Sequence, residues 1–229
     1  MSRNKELFKD RITKSKYSEL IAQLSFALDN GNEALKELSF GETKLIEYTG
    51  KGSYQEGQHC ECIGLKKQSF TEKRLCKCLF YYNSDHFKKC EACDFRNRYM
   101  ISGDYFIKDY EVPAFYFGDG IGEIDLVISP ASDETVQFAT EVKPAKDEFD
   151  PNDKGNQETL LRMIAEIMTY TFGYPEGKYY KAIGFFENTP QETEYLQASA
   201  ELIGILKKAH ITVFRFERAG EKGYRICKL

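Results

Sequence analysis

The chain has 229 residues, 30% of them charged, and a formal charge of -4 at pH 7. That length allows one large domain or a core carrying an insert. No apolar run is long enough for a membrane span, and there is no internal repeat, low-complexity tract or linker. The first residues, Met1-Ser2-Arg3-Asn4-Lys5-Glu6, lack the apolar core of a signal peptide. A cytoplasmic chain with reduced thiols is therefore expected.

Residues 1–50 read as a helical part of the core. Leu7, Phe8, Ile12, Leu20, Ile21, Leu24 and Leu28 mark amphipathic turns, broken at Asp29-Asn30-Gly31. Residues 51–98 carry Cys60, Cys62, Cys76, Cys78, Cys90 and Cys93 as C-x-C, C-x-C and C-x-x-C, with His59 and His86 close by. Closely spaced cysteines in a reducing compartment point to structural zinc in a knuckle-like insert. Cys76, Cys78, Cys90 and Cys93 make a tetrahedral set, with Cys60 and Cys62 spare or substituting. Six cysteines with the two histidines would also suffice for two ions. The same segment has a formal charge of +4 and the remainder -8. Its Lys66, Lys67, Lys73, Arg74, Lys88 and Lys89, interleaved with Phe80, Tyr81, Tyr82, Phe87 and Phe95, suit contact with phosphates and bases.

Residues 99–229 form the rest of the core. Gly122-Glu123-Ile124-Asp125-Leu126-Val127-Ile128 and Phe138-Ala139-Thr140-Glu141-Val142-Lys143 alternate with period two, the pattern of half-buried strands. Ser129-Pro130-Ala131-Ser132-Asp133-Glu134 between them is turn chemistry, so they can pair as an antiparallel hairpin. Glu123 and Asp125 then share a polar face with Glu141 and Lys143. Three carboxylates beside one ammonium repel, and a divalent cation resolves the repulsion. Magnesium takes hard oxygen ligands and keeps several waters. With a lysine to orient a water, these are the parts that hydrolyse a phosphodiester.

Asp125 followed, after a hairpin, by Glu141-Val142-Lys143 resembles the PD-(D/E)XK nuclease superfamily. Gly122-Glu123-Ile124-Asp125-Leu126-Val127 resembles the first motif of its resolvase-like and restriction-enzyme-like branches. Ile124 stands where the proline of the superfamily's name would be. The resemblance covers roughly residues 110–217. It implies an α/β fold with a restriction-endonuclease-like mixed sheet flanked by helices. It also implies Asp125, Glu141 and the Val142 carbonyl as Mg2+ or Mn2+ ligands, and Lys143 as the residue that orients water. Glu123 is a possible further ligand. Some members bring another acid from an early helix, for which Glu19, Glu33, Glu37 and Glu42 are candidates. Some RecB-like members carry an iron–sulfur cluster, the alternative to zinc for these cysteines.

The remaining elements follow the superfamily's order. A helix opens near Gly155-Asn156-Gln157-Glu158 and carries Leu160, Leu161, Ile164, Ile167 and Met168 on one face, ending near Gly173. Its Glu158, Arg162 and Glu166 are spaced by four. Either they form two salt-bridged pairs on a solvated face, or Glu158 and Glu166 are site residues, with Glu166 and Tyr170 resembling the Gln-xxx-Tyr motif of RecB-like nucleases. Strand 181–186, a proline-started helix from Thr189 through Lys208, strand 211–216 and a short strand at 224–227 complete the core. The expected function is metal-dependent hydrolysis of DNA, with RNA as a possible substrate and a homodimer as a possible assembly. The alternative is a non-catalytic, zinc-stabilised module that binds nucleic acid or a protein partner.

Overall fold

The computed structural model describes residues 14–31, 72–83, 100–114, 122–143, 158–171, 179–220 and 223–229. Their elements run α1 (Lys14–Asp29), α2 (Glu72–Asn83), β1 (Ile101–Ser102), β2 (Tyr105–Pro113), β3 (Glu123–Pro130), β4 (Gln137–Lys143) and α3 (Leu160–Tyr170). There follow β5 (Tyr179–Phe186), α4 (Pro190–Leu196), α5 (Ala200–Lys208), β6 (Ile211–Arg218) and β7 (Tyr224–Lys228). The strands form one seven-stranded mixed sheet in the order β1-β7-β6-β5-β4-β3-β2. β2, β3 and β4 are antiparallel neighbours, whereas β4, β5 and β6 are parallel. The parallel pairs need crossovers, which α3 supplies after β4 and the α4–α5 pair supplies after β5. Among the described residues, no helix is long and apolar enough to cross a membrane.

Two apolar clusters enclose this sheet. One joins Leu161, Ile164 and Ile167 of α3, Leu202 and Ile205 of α5, and Leu24 of α1 to Val127, Ala139 and Ile183. The other joins Leu75, Leu79 and Tyr82 of α2 to Leu126, Phe138, Val142, Phe186, Phe214 and Phe216. All seven residues of β4 are therefore buried. This corrects the expectation of a half-buried hairpin: β4 lies mid-sheet with apolar packing on both sides, so Glu141 and Lys143 are enclosed rather than displayed to water.

Two boundaries also differ from expectation. The helix expected through Lys208 is two, because Gln197 closes α4 and Ser199 caps the start of α5 by accepting from the Leu202 N–H. The stretch expected as a separate cysteine-rich insert contributes α2 to the core, packed along β2 and β3. Cys76 and Cys78 lie on α2 and are buried in its apolar contact. Cys60, Cys62, Cys90 and Cys93 fall outside the described residues, as do Lys66, Lys67, Lys88 and Lys89 and the side chains of Lys73 and Arg74.

Close packing beside β4 gives a direct test. A Cβ on Gly184 would sit 2.9 Å from the Phe216 ring, 3.3 Å from Val142 and 3.4 Å from Thr140. The Phe216 ring cannot easily retreat, because it stacks on Phe186 with centroids 4.6 Å apart. Gly184→Ala is expected to cost about 1–3 kcal/mol of stability, read by urea unfolding, as overpacking does elsewhere.

Candidate metal centre

β3 and β4 pair through Ile128↔Phe138, Val127↔Ala139 and Leu126↔Thr140, and their paired register ends there. Beyond that point β4 stays in register with β5 through Glu141↔Ile183, Val142↔Gly184 and Lys143↔Phe185. On the β3 side, the Asp125 side chain takes over from the ladder: its Oδ2 accepts the Val142 N–H at 2.8 Å. A strand residue directs its N–H and C=O to the same edge, so the Val142 carbonyl also faces Asp125. This is how the chain builds a site inside a sheet. One carboxylate holds the strands' parting, and Asp125 keeps Oδ1 for other work.

Glu141 and Lys143 follow on the enclosed strand, and α2 delivers a third acid. One carboxylate oxygen from each of Glu72, Asp125 and Glu141 lies within 4.8 Å of the others. Lys143 Nζ stands 2.6 Å from Glu141 Oε1 and 3.2 Å from Glu72 Oε2. Glu158 Oε2 at 3.0 Å and Glu166 Oε2 at 3.7 Å also lie near the same nitrogen. Arg162 bridges those two acids, at 2.8 Å from Glu158 Oε1 and 3.0 Å from Glu166 Oε1. Five carboxylates thus meet two cationic side chains, a surplus of three negative formal charges.

Titration behaviour follows from that surplus. Burial pushes the Asp125 carboxyl up to about 8, with the Glu72 charge adding to it and Lys143 opposing. Burial and the Asp125 charge raise Glu141 well above the ordinary carboxylate range, and burial raises Glu72. For Lys143, burial favours the neutral amine, but the charges of Glu141, Asp125, Glu72 and Glu166 prevail and hold it well above the usual lysine range. Burial raises the Tyr170 hydroxyl, with Glu141, Glu166 and Asp125 adding to the effect. The Cys76 thiol, one turn along α2 from Glu72, is raised by burial and by the Asp125, Glu72, Glu111 and Glu141 charges.

The donor set suits a hard divalent cation. Three carboxylate oxygens converge, and Glu166 Oε2 is a buried acceptor with no hydrogen-bond donor. The structure therefore gathers Asp125, Glu141 and Lys143 as expected, and places Glu158, Glu166 and Tyr170 around them. The pairs made by Arg162 are present, but on a half-buried edge rather than a solvated face: Glu166 is 5% exposed, and the Glu158 and Arg162 side chains are 25% and 26% exposed. Glu158 precedes the α3 cap at Thr159 and so lies outside the helix.

Glu123 is opposite Pro113 in the β2–β3 register and is not one of the three clustered acids. Glu72 takes the third place. None of Glu33, Glu37 and Glu42 lies among the described residues, nor does the side chain of Glu19. Glu72 was missed because its stretch reads as a metal knuckle. The helical spacing of Leu75, Leu79 and Tyr82 was the signal that could have placed it. Across β2, Glu111 adopts a left-handed backbone at φ 47° and falls between the pairs Tyr110↔Leu126 and Val112↔Ile124, opposite Asp125. A non-glycine residue held this way costs on the order of 1–3 kcal/mol, and such strain collects at functional sites.

Comparison with family models, curated proteins and solved structures returned no match.

Because the folded state binds protons more tightly at Asp125, Glu141 and Glu72 than the unfolded chain does, their contribution to stability is fully present at low pH and is lost as pH rises through the folded values. Dialysed free of added magnesium and manganese, the protein is expected to lose at least about 4 °C of Tm between about pH 5 and about pH 8. Asp125→Asn should flatten that slope, and added Mn2+ should raise Tm more at the upper pH than at the lower. Scanning calorimetry across this range checks all three.

Proposed function

We propose that this chain is a metal-dependent nuclease of the PD-(D/E)XK type, with a restriction-endonuclease-like core, hydrolysing phosphodiester bonds in DNA. The observation that carries this reading is the meeting of Glu72, Asp125 and Glu141 beside Lys143 where β3 and β4 part. Antiparallel β2–β3–β4 continuing into parallel β4–β5–β6, with α3 as the crossover, also fits that core.

Glu72, Asp125 and Glu141 would hold Mg2+ or Mn2+, with the Val142 carbonyl as a further oxygen donor. When bound, the cation supplies acidification of water and neutralisation of phosphate charge. Lys143 Nζ carries three N–H donors and stays protonated among these acids, so it holds and orients the attacking water against the scissile phosphate. Glu158 and Glu166, fixed by Arg162, aim that ammonium. The enclosed floor of the site keeps bulk water from competing with these contacts.

Structural zinc belongs to the same proposal. Cys76, Cys78, Cys90 and Cys93 would supply the four thiolates a structural zinc takes, with Cys60 and Cys62 spare or substituting. The basic residues Lys66, Lys67, Lys73, Arg74, Lys88 and Lys89 would grip the nucleic acid. Cutting both strands of a duplex takes two such sites, which a homodimer provides. We read the chain as cytoplasmic, in keeping with the reduced thiols this zinc set requires.

The test is cleavage of single-stranded, duplex and branched DNA, and of RNA, with Mg2+ or Mn2+. Wild type is expected to cut, and Lys143→Ala to lose about 10²–10³-fold of the rate. Glu72→Gln should fall comparably, because it removes a metal ligand. No cleavage of any substrate by the folded, metal-loaded protein would overturn the nuclease reading in favour of a binding module.

A further inference from the structure

We infer that Lys143 and the divalent cation exchange places at Glu72 and Glu141, and that Glu158, Glu166 and Arg162 form the cradle that receives the displaced ammonium. This inference rests on the metal-centre reading and deepens it. Lys143 Nζ touches two of the three clustered acids, at 2.6 Å from Glu141 and 3.2 Å from Glu72. A cation shared by Glu72, Asp125 and Glu141 would draw on two carboxylates that Lys143 already pairs with, and two positive charges on the same carboxylates repel.

The cradle is already built beside the ammonium. Arg162 holds Oε1 of both Glu158 and Glu166, which turns both Oε2 atoms toward Nζ. Glu166 Oε2 is buried, has no hydrogen-bond donor, and stands 3.7 Å from Nζ, so a small shift of the lysine gives it one. Glu166 is 5% exposed, so bulk solvent does not reach that oxygen. Glu158 is anchored from the opposite direction as well. Its backbone carbonyl accepts from Gln191 Nε2 at 2.8 Å, and Gln191 is fully buried on α4. The neighbouring Leu160 N–H donates to Glu194 at 2.9 Å. These contacts fix where the ammonium can go. Glu158, Glu166 and Arg162 are thus positioning residues, which act on the metal through Lys143.

Mn2+ binding to the full chain, read by the electron paramagnetic resonance of free Mn2+, tests this without any substrate. Asp125→Asn identifies which binding belongs to this site. Lys143→Met should tighten Mn2+, since no ammonium has to leave. The Glu158→Gln/Glu166→Gln pair should weaken Mn2+ about tenfold in the wild-type background but change it less than about threefold in the Lys143→Met background. Thermal melting keeps folded variants in the comparison, and Glu166→Gln alone is the fallback if the pair does not fold. Equal weakening in both backgrounds would mean plain electrostatics and would overturn the exchange while leaving the metal centre standing. Absence of any Mn2+ binding lost in Asp125→Asn would overturn the metal centre, and the exchange with it.

Discussion

The parting of β3 from β4 is the constraint on which the rest of the site depends. A continuous ladder would satisfy Val142 with a backbone partner and leave no room between the strands. Here the register ends at Leu126↔Thr140, and the Asp125 carboxylate satisfies the Val142 N–H instead. A buried N–H without an acceptor costs on the order of 1–3 kcal/mol, so the strands can separate only because that side chain is placed to replace the lost bond. Asp125 is therefore structural through one oxygen and available for chemistry through the other. The neighbouring β4–β5 pairing stays regular, which keeps Glu141 and Lys143 at fixed height and phase. Precision on one edge and opening on the other come from the same three residues.

Charge burial sets the second constraint. Breaking a buried ion pair from one side typically costs about 3–5 kcal/mol, because the remaining charge is left in low dielectric. Lys143 pairs with four acids, and burial raises Glu72, Asp125 and Glu141, with the charges of neighbouring acids adding to the effect. Such an arrangement is poor as a stability device, since well-packed apolar residues would do as well without the desolvation cost. Its place on the most enclosed strand of the sheet fits the proposed cation-binding role. The apolar clusters built on Phe186, Phe214, Phe216 and on Leu161, Ile164, Ile167 offset the expense.

Much of this was legible in the residues. The two alternating stretches gave β3, β4 and their antiparallel pairing, and turn chemistry gave their connection. Asp125, Glu141 and Lys143 could be placed together because strand period two is rigid. The spacing of Leu160, Leu161, Ile164 and Ile167 gave α3, and the Thr189-Pro190 start gave α4. What could not be read was which faces are covered. Burial of β4 on both sides depends on α2, and residues 72–83 carry cysteines whose spacing argues for metal more loudly than Leu75 and Leu79 argue for a helix. Glu72 is 53 residues before Asp125 and on no shared element, so no local period links them. Ser199 likewise splits a helix that apolar spacing alone would have run straight through.

Delivery of the third acid by α2 has a thermodynamic consequence. A helix of 12 residues is marginal alone in water, and α2 owes its order to Leu75, Leu79, Phe80, Tyr81 and Tyr82 packed along the sheet. Phe80 and Tyr81 meet Tyr110 of β2 at centroid distances of 5.2 Å and 5.8 Å, which ties the helix to the strand bearing Glu111. Glu72 reaches Asp125 and Glu141 only while that docking holds. A ligand binding all three acids must then stabilise the docked helix by the same free energy with which docking improves the ligand's affinity. The site is thus a product of tertiary packing rather than of the hairpin alone. Its strength therefore depends on aromatic contacts more than a turn away along α2 as well as on the carboxylates.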